Sequence, residues 1–336
     1  MGNRLYKFDN LKAVLIFLVV FGHFLELVQG HRLLYLTIYS FHMPLFIFIT
    51  GYFAHFDSKK ILSGLVFPYC VFQISYTYFE RIVLENENLT LTFLRPRWIL
   101  WYLFAMIVYY LLIPFFDVKT KKQRIAAVTG MVLLALLSGY DSKVGYDYSS
   151  ARIFTFMPFF YAGYYLSDSG NMLFKTYRGH RKSYMLKGVV SAGAAALMVM
   201  VLSTDVISKK MLYGSYSYED AGYNIWIKLL ILVFASVWTA VFMLMAPDKK
   251  IPMLSEIGKD TMPVFLLHGF IVKLIDKQCR AMGESLPLAW AVVLSAAVVL
   301  VLGNRYVNAV FVLLFTDKNK KKVRLSGGRK KFNENE

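Results

Sequence analysis

Long stretches with almost no charge dominate this chain, and such stretches have few folded destinations. Crossing about 30 Å of hydrocarbon takes about 20 apolar residues in a helix, somewhat fewer where neighbours help. Runs that meet this requirement lie at approximately 11–29, 36–54, 61–83, 99–116, 125–140, 153–167, 187–203, 225–245, 261–277 and 288–305. Hydrocarbon offers no partner to a backbone amide, so each run is expected to be helical. Composition agrees: of 336 residues, 57% are hydrophobic and 18% charged, too few polar side chains to cover a globule in water. The reading is an all-α, polytopic integral membrane protein with about ten transmembrane helices. The first run lacks a small-residue cleavage site and reads as a retained span, not a signal peptide. Cys70 and Cys279 are too few for a disulfide framework or a cysteine-based zinc site.

Charge gives the orientation. The formal net charge is +17, which in a soluble protein would suggest nucleic acid, but no nucleic-acid-binding motif accompanies it and no such partner is expected. Membrane topology absorbs the excess instead. With the N-terminus inside, one side receives Arg4, Lys7, Lys12, Lys59, Lys60, the Lys119–Arg124 cluster, Lys175, Arg178, Arg181, Lys182, Lys187, Lys249, Lys250, Lys259 and the tail cations from Lys318 to Lys331. That side holds most of the lysines and arginines, whereas acidic residues divide almost evenly. Both termini are therefore expected to be cytoplasmic, with residues 1–316 forming a transmembrane domain and 317–336 a basic tail drawn to anionic lipid. A bacterial plasma membrane is the expected location, and the lipid bilayer the first partner.

Ionisable side chains within apolar runs are costly, so each one marks a candidate site. His23 lies about 12 residues into the first run, roughly 18 Å from its inner edge at about 1.5 Å per residue. His42 lies about six residues into the second, roughly 10 Å from the outer edge. The two reach similar depth on helices joined by a short loop, so they are expected to meet. Either is a catalytic base or, more blandly, a hydrogen-bonded packing residue. Glu26 shares a helix face with His23 and is either the carboxylate that orients its imidazole or a wet interfacial residue. His268 is expected near the opposite edge, away from this pair, in a structural or channel-lining role. At the outer rim Arg95, Arg97, Trp98 and Arg152 are either an arginine fork for phosphate or carboxylate or interfacial anchors. Tyr213, Tyr216, Tyr218 and Tyr223, with Glu219 and Asp220, suit sugar faces or an interfacial aromatic belt equally. His23, His42 and Glu26 formally make a two-histidine, one-carboxylate set, but nothing else supports a metal and none is assigned.

Two motifs carry a resemblance to a known family. Phe8-Asp9-Asn10-Leu11-Lys12, followed by Val19-Val20-Phe21-Gly22-His23, resembles the opening of the acyltransferase-3 membrane O-acyltransferases, in which a basic residue precedes the first-helix histidine at this spacing. Ser40-Phe41-His42-Met43-Pro44-Leu45-Phe46, continuing to Thr50-Gly51-Tyr52, is similar to the same family's second segment and is the more specific match. Weaker echoes are Phe67-Pro68-Tyr69, Leu100-Trp101-Tyr102-Leu103, Met157-Pro158-Phe159-Phe160 with Gly163, and Phe265-Leu266-Leu267-His268-Gly269, so the likeness covers about residues 5–305. It is nearest to the fucose-4-O-acetylase-like branch, which has no attached esterase-type domain. A lysine, Lys12, stands where many members have arginine.

The resemblance implies transfer of an acyl group, usually acetyl, from cytoplasmic acyl-CoA to a hydroxyl of an envelope glycan such as a capsule or exopolysaccharide. It implies His23, with His42 and Glu26, as the catalytic set. Lys12, Lys59 and Lys60 would attract CoA phosphates, no cofactor being held permanently. Arg97, Trp98, Trp101 and Arg152 would meet the glycan. Whether His23 serves as a base or is itself acylated is left open. The main rival is a transporter or lipid-linked glycan flippase, which so many helices would suit, although no inverted repeat with paired broken helices is visible. A glycan polymerase and a structural or sensor module are more distant rivals.

Overall fold

A computed structural model describes residues 5–142, 147–168 and 181–315. The basic tail, with Lys318 to Lys331, and the cations Lys175 and Arg178 lie outside them. Among the described residues there are helices and no strand. The helices are α1 (Tyr6–Leu25), α2 (Arg32–Tyr52), α3 (Ser58–Ile61), α4 (Phe67–Ile82), α5 (Trp101–Phe116), α6 (Lys121–Leu137), α7 (Ser150–Asp168) and α8 (Arg181–Ser203). There follow α9 (Lys209–Leu212), α10 (Tyr218–Ala221), α11 (Ile225–Met245), α12 (Pro252–Ile257), α13 (Met262–Met282), α14 (Leu288–Leu302) and α15 (Arg305–Phe315). Every apolar run read from the sequence is occupied by helix. Four helical stretches, α1, α2, Trp98–Phe116 and α11, are each long and apolar enough to cross a membrane, and α14 with α15 makes a fifth if the bent pair is one span.

Some boundaries differ from the hydrophobic pattern for local reasons. The first run continues to residue 29, but its helix stops at Leu25, which leaves His23 in the last turn. The run 61–83 enters α4 through a π-helical turn, Leu62–Val66. The last run does not continue straight. The chain bends by 58° after α14, and the Asn304 side chain accepts from the amides of Tyr306 (2.8 Å) and Val307 (3.0 Å), capping α15 as a new helix.

The α1–α2 hairpin is the centre of the packing. Phe8, near the start of α1, meets the rings of Tyr52 (4.6 Å) and Phe53 (4.9 Å) at the end of α2, so the two helices run antiparallel. On one flank α2 packs along α7 and α11; on the other α1 packs against α12, α13 and α14. Glycine makes the first contact possible: a Cβ on Gly51 would overlap the carbonyl of Phe160, and one on Gly163 the carbonyl of Phe48. Backbones this close gain dispersion without any hydrophobic drive between helices.

Polar side chains seal both ends of the hairpin. Asn10 donates to the carbonyls of Pro247 and Lys249, both at 3.0 Å, and accepts from Ser255 at 2.8 Å. Gly258, just after α12, sits so close to the carbonyl of Asp9 that a Cβ would overlap it. At the other end the Arg32 guanidinium donates to the carbonyls of Leu202, Thr204 and Ile207 at 3.1, 2.9 and 2.7 Å, satisfying orphan groups after α8.

Gly51→Ala and Gly163→Ala should each destabilise the protein by about 3 kcal/mol, while Gly130→Ala, with nothing within 4 Å of the added carbon, should not. The midpoint of thermal unfolding in detergent, followed by fluorescence-detected size exclusion, checks this.

Candidate active site

His23 occupies the last turn of α1, where the helix dipole favours a cation. Its Nδ1 lies 3.4 Å from Oε1 of Glu26. The same oxygen accepts from the hydroxyls of Tyr39 (2.7 Å) and Tyr35 (3.3 Å), and Tyr35 shares a 2.6 Å hydrogen bond with the Tyr213 hydroxyl. Tyr35 and Tyr39 are one turn apart on α2 and stack at 4.1 Å. A carboxylate against Nδ1 favours the tautomer with its proton there, which leaves Nε2 as the basic nitrogen. Glu26 is thus placed to orient the imidazole, while its side chain stays 32% exposed.

A cavity of about 210 Å³ opens beside this pair. Among the residues assigned roles from sequence, His23, Glu26, His42, Trp98, Trp101 and Arg152 all line it. His42 donates from Nδ1 to the carbonyl of Ile38 at 2.8 Å, so its Nε2 carries the lone pair. The two histidines share the cavity as expected but do not meet ring to ring. Tyr39 stands between them, 6.4 Å from His23 and 4.9 Å from His42.

His268 overturns its expected position. Its ring lies 5.4 Å from that of His23 at an interplanar angle of 25°. The sequence reading measured depth from the start of the apolar run, as if that start lay at the membrane edge. In the fold α12 and the turn at Gly258, docked on Asp9, come first and raise the start of α13 along α1. His268 is fully buried and donates from Nδ1 to the carbonyl of Val264 at 3.0 Å, and its Nε2 has no hydrogen-bond partner.

The opposite wall comes from later in the chain. The Arg152 guanidinium lies 5.0 Å over the Trp101 ring, and its Nε donates to the Tyr213 carbonyl at 3.2 Å. Tyr213 and Tyr216, from the segment read as sugar-contacting or interfacial, both face the cavity. Burial, then the charge of Glu26, pushes the Tyr213 phenol up to about 12, so it stays a neutral hydrogen-bonding group. Arg97 is not part of this wall. Its Nη2 donates to the Thr90 carbonyl and its backbone N–H to Gln73, which makes it an anchor of its own loop.

The lysines assigned to a donor lie elsewhere. Lys12 pairs with Asp9 at 3.3 Å. Lys60 pairs with Asp57 at 3.0 Å and contacts Nε2 of His55 at 2.6 Å, while Lys59 is exposed. Hydrogen bonding from Lys60 holds the Asp57 carboxyl below its usual range. Lys12 and His23 are eleven positions apart with ten residues between them, close to three full turns, so both project from one face of α1 about 17 Å apart. Among the described residues no group of three or more His, Cys, Asp or Glu is placed to hold a metal ion.

Sequence reasoning missed Tyr39, Gln73 and the position of His268. Tyr39 had a usable signal, since it precedes His42 by three residues and so shares its face.

The family model described as an acyltransferase domain matches residues 5–303, and the chain belongs to that family. The nodulation protein NolL of Sinorhizobium fredii is 45% identical over 60 residues, a stretch that covers only 16% of each chain. No solved structure matches.

Tyr39→Phe removes a hydrogen bond to a carboxylate worth about 1.5–3 kcal/mol, and the orientation of His23 depends on it. Acyl-transfer turnover should fall about 10- to 100-fold with the folded yield unchanged, as measured on purified protein.

Proposed function

We propose that this acyltransferase-family protein is a membrane O-acyltransferase that moves an acyl group, most simply acetyl, from acyl-CoA to a hydroxyl of a cell-envelope glycan. The observation that carries the reading is the His23–Glu26–Tyr39 set, open on one side to a cavity walled by aromatic rings and Arg152. A sugar hydroxyl is a poor nucleophile, and a correctly oriented neutral imidazole is what it needs.

In the proposed reaction, Nε2 of His23 takes the hydroxyl proton as the oxygen attacks the thioester carbonyl. Glu26, against Nδ1, stabilises the imidazolium. The tetrahedral intermediate collapses with cleavage of the C–S bond, and the departing thiolate takes the proton from Nε2. The products are the sugar ester and free CoA, and His23 is neutral again. Nε2 of His42, facing the same cavity, is an acceptor that orients the entering hydroxyl.

The donor enters from the lysine-rich side. Lys12 and His23 share a face of α1 about 17 Å apart, a distance over which an extended pantetheine arm can carry a thioester while its phosphates stay at Lys12. Lys59 and Lys60 follow α2, whose end packs beside Phe8, so they belong to the same mouth. Lys12 offers a point charge, not a fork. Arg152, Trp101, Trp98 and the tyrosines receive the glycan. The proposal extends to about ten spans, cytoplasmic termini, a bacterial plasma membrane and the fucose-4-O-acetylase-like branch. It rests there on the distribution of lysine and arginine and on the motifs around His23 and His42.

Membranes carrying the protein, supplied with radiolabelled acetyl-CoA, should transfer label to envelope polysaccharide. His23→Ala should lower this by about 100-fold or more at unchanged expression, and His42→Ala should cut it severely. Full transfer by His23→Ala would rule out the mechanism, and glycan movement without acyl-CoA would point to a flippase. Lys12→Ala should raise the KM for acetyl-CoA about tenfold with a smaller effect on kcat, as expected for lost ground-state binding.

A further inference from the structure

The segment between α4 and Trp98 folds back along the helix it has just left. Tyr69 donates its hydroxyl to the carbonyl of Phe93 at 2.6 Å. Gln73 donates from Nε2 to the carbonyls of Thr92 (2.5 Å) and Arg95 (2.8 Å), and its Oε1 accepts from the Arg97 amide at 2.9 Å. Gln73 is fully buried, and its whole amide is spent on the backbone of this one segment. At about 1.5 Å per residue, Gln73 sits about 14 Å back from the end of α4, so the irregular segment returns more than two turns along that helix. Such backbone persists in a membrane protein only where other protein groups satisfy it.

The segment delivers Trp98, and at a conformational cost. Trp98 has φ +37°, in the left-handed region that a bulky side chain rarely adopts. Its indole packs on the His23 imidazole at 4.6 Å and 60°. The Lys273 ammonium lies 4.8 Å from the centre of the same ring and pairs with Glu80 at 3.0 Å. Gly269 leaves room first for Tyr76, whose hydroxyl a Cβ there would overlap, and then for the indole, whose Cζ3 would lie 3.0 Å away. Backbone strain of this kind persists where the surroundings over-determine it, and it clusters at sites of function.

We infer that Trp98 is a positioning residue for His23, and that Gln73 sets it in place by pinning the returning segment to α4. The inference rests on the reading of His23 as the base. The indole blocks rotation of the imidazole away from the cavity. Its π face also meets the imidazolium that forms when the hydroxyl proton is taken, an attraction that strengthens in a desolvated site. Gln73 touches neither His23 nor the cavity and acts through Trp98 alone.

The test uses the full-length protein with acetyl-CoA as donor and native membranes of a strain lacking its own copy as acceptor. Trp98→Leu should lower kcat about 100-fold with the KM for acetyl-CoA changed by less than about twofold. Trp98→Phe, which restores a ring face, should recover to within about fivefold of the parent. Trp98 emission, taken as the difference between the parent and Trp98→Phe, should be quenched by the imidazole and rise in His23→Gln. In Gln73→Leu both kcat and this dependence on His23 should be lost. Gln73→Glu, which keeps the acceptor for Arg97 and removes both donated bonds, serves if Gln73→Leu is not recovered folded. Undiminished kcat in Trp98→Leu, or emission that still follows His23 in the Gln73 variants, would overturn the inference. Full transfer by His23→Ala with the emission response intact would instead overturn the assignment of His23 as base, and the positioning role with it.

Discussion

Polar groups far from water must find their partners within the protein, and in this chain that requirement decides where almost everything else goes. Glu26 is completed by His23, Tyr39 and Tyr35. Asn10 is completed by two carbonyls and a serine hydroxyl, Arg32 by three carbonyls and Gln73 by two carbonyls and an amide. Asn10 and Gln73 are buried, whereas Glu26 and Arg32 keep part of their side chains exposed. Leaving one such group unmade inside costs about 1–3 kcal/mol, more for a charged one, so each network fixes the elements it joins. Among the described residues, Nε2 of His268, behind His23, is one of the few buried polar atoms left without a partner.

α1 acts as the ruler of the molecule. Its first turns hold Asp9, Asn10 and Lys12, and its last turn holds His23. Asn10 and Asp9 fix α12 and hence the register of α13, which sets His268 against His23. Phe8 fixes the end of α2, and antiparallel pairing then brings Tyr39 and His42 to the level of His23. A rigid helix with a constant rise converts contacts at one end into alignment at the other. Under the proposed reaction it also separates a donor mouth from the acylated hydroxyl by a fixed length.

Much of this was legible in the residues. Apolar runs located the helices, because lipid-facing and core-facing positions are both apolar and the count alone suffices. The rise per residue put His23 and His42 into one site, and the three-residue offset put Glu26 on the face of His23. What escaped was information that only long-range packing holds. A hydrophobic count cannot see that Gly258 docks on Asp9, so the depth of His268 was measured from the wrong origin. Nor can it see that Gln73, one of several polar residues within the run 61–83, draws a loop down beside its own helix. Arg97 and Trp98 were therefore placed together at the rim, whereas one anchors the loop and the other reaches the imidazole. The α14–α15 bend followed from Asn304 preferring to cap a new helix over extending the old one.

The cavity is built from two kinds of wall, and the difference bears on how such a protein can change its substrate. His23, Tyr39, His42 and the buried His268 sit on α1, α2 and α13, and Glu26 directly follows α1. Their backbones are tied by helical hydrogen bonds and by the glycine contacts and buried side-chain networks described above. Tyr213 and Tyr216 come from the short segment between α9 and α10, while Arg152 reaches across to the Tyr213 carbonyl from the start of α7. Loops tolerate substitution far better than the elements they join. Changes at Tyr216 and its neighbours on this segment can therefore reshape that wall with little effect on the imidazole, whereas Tyr213 is hydrogen-bonded to Tyr35 and through it to the Glu26 carboxylate. Trp98 is the exception that joins the two: it lies on a returning loop, yet its ring is part of the support of His23, and that is why its loop is the one that Gln73 and Tyr69 hold to a helix.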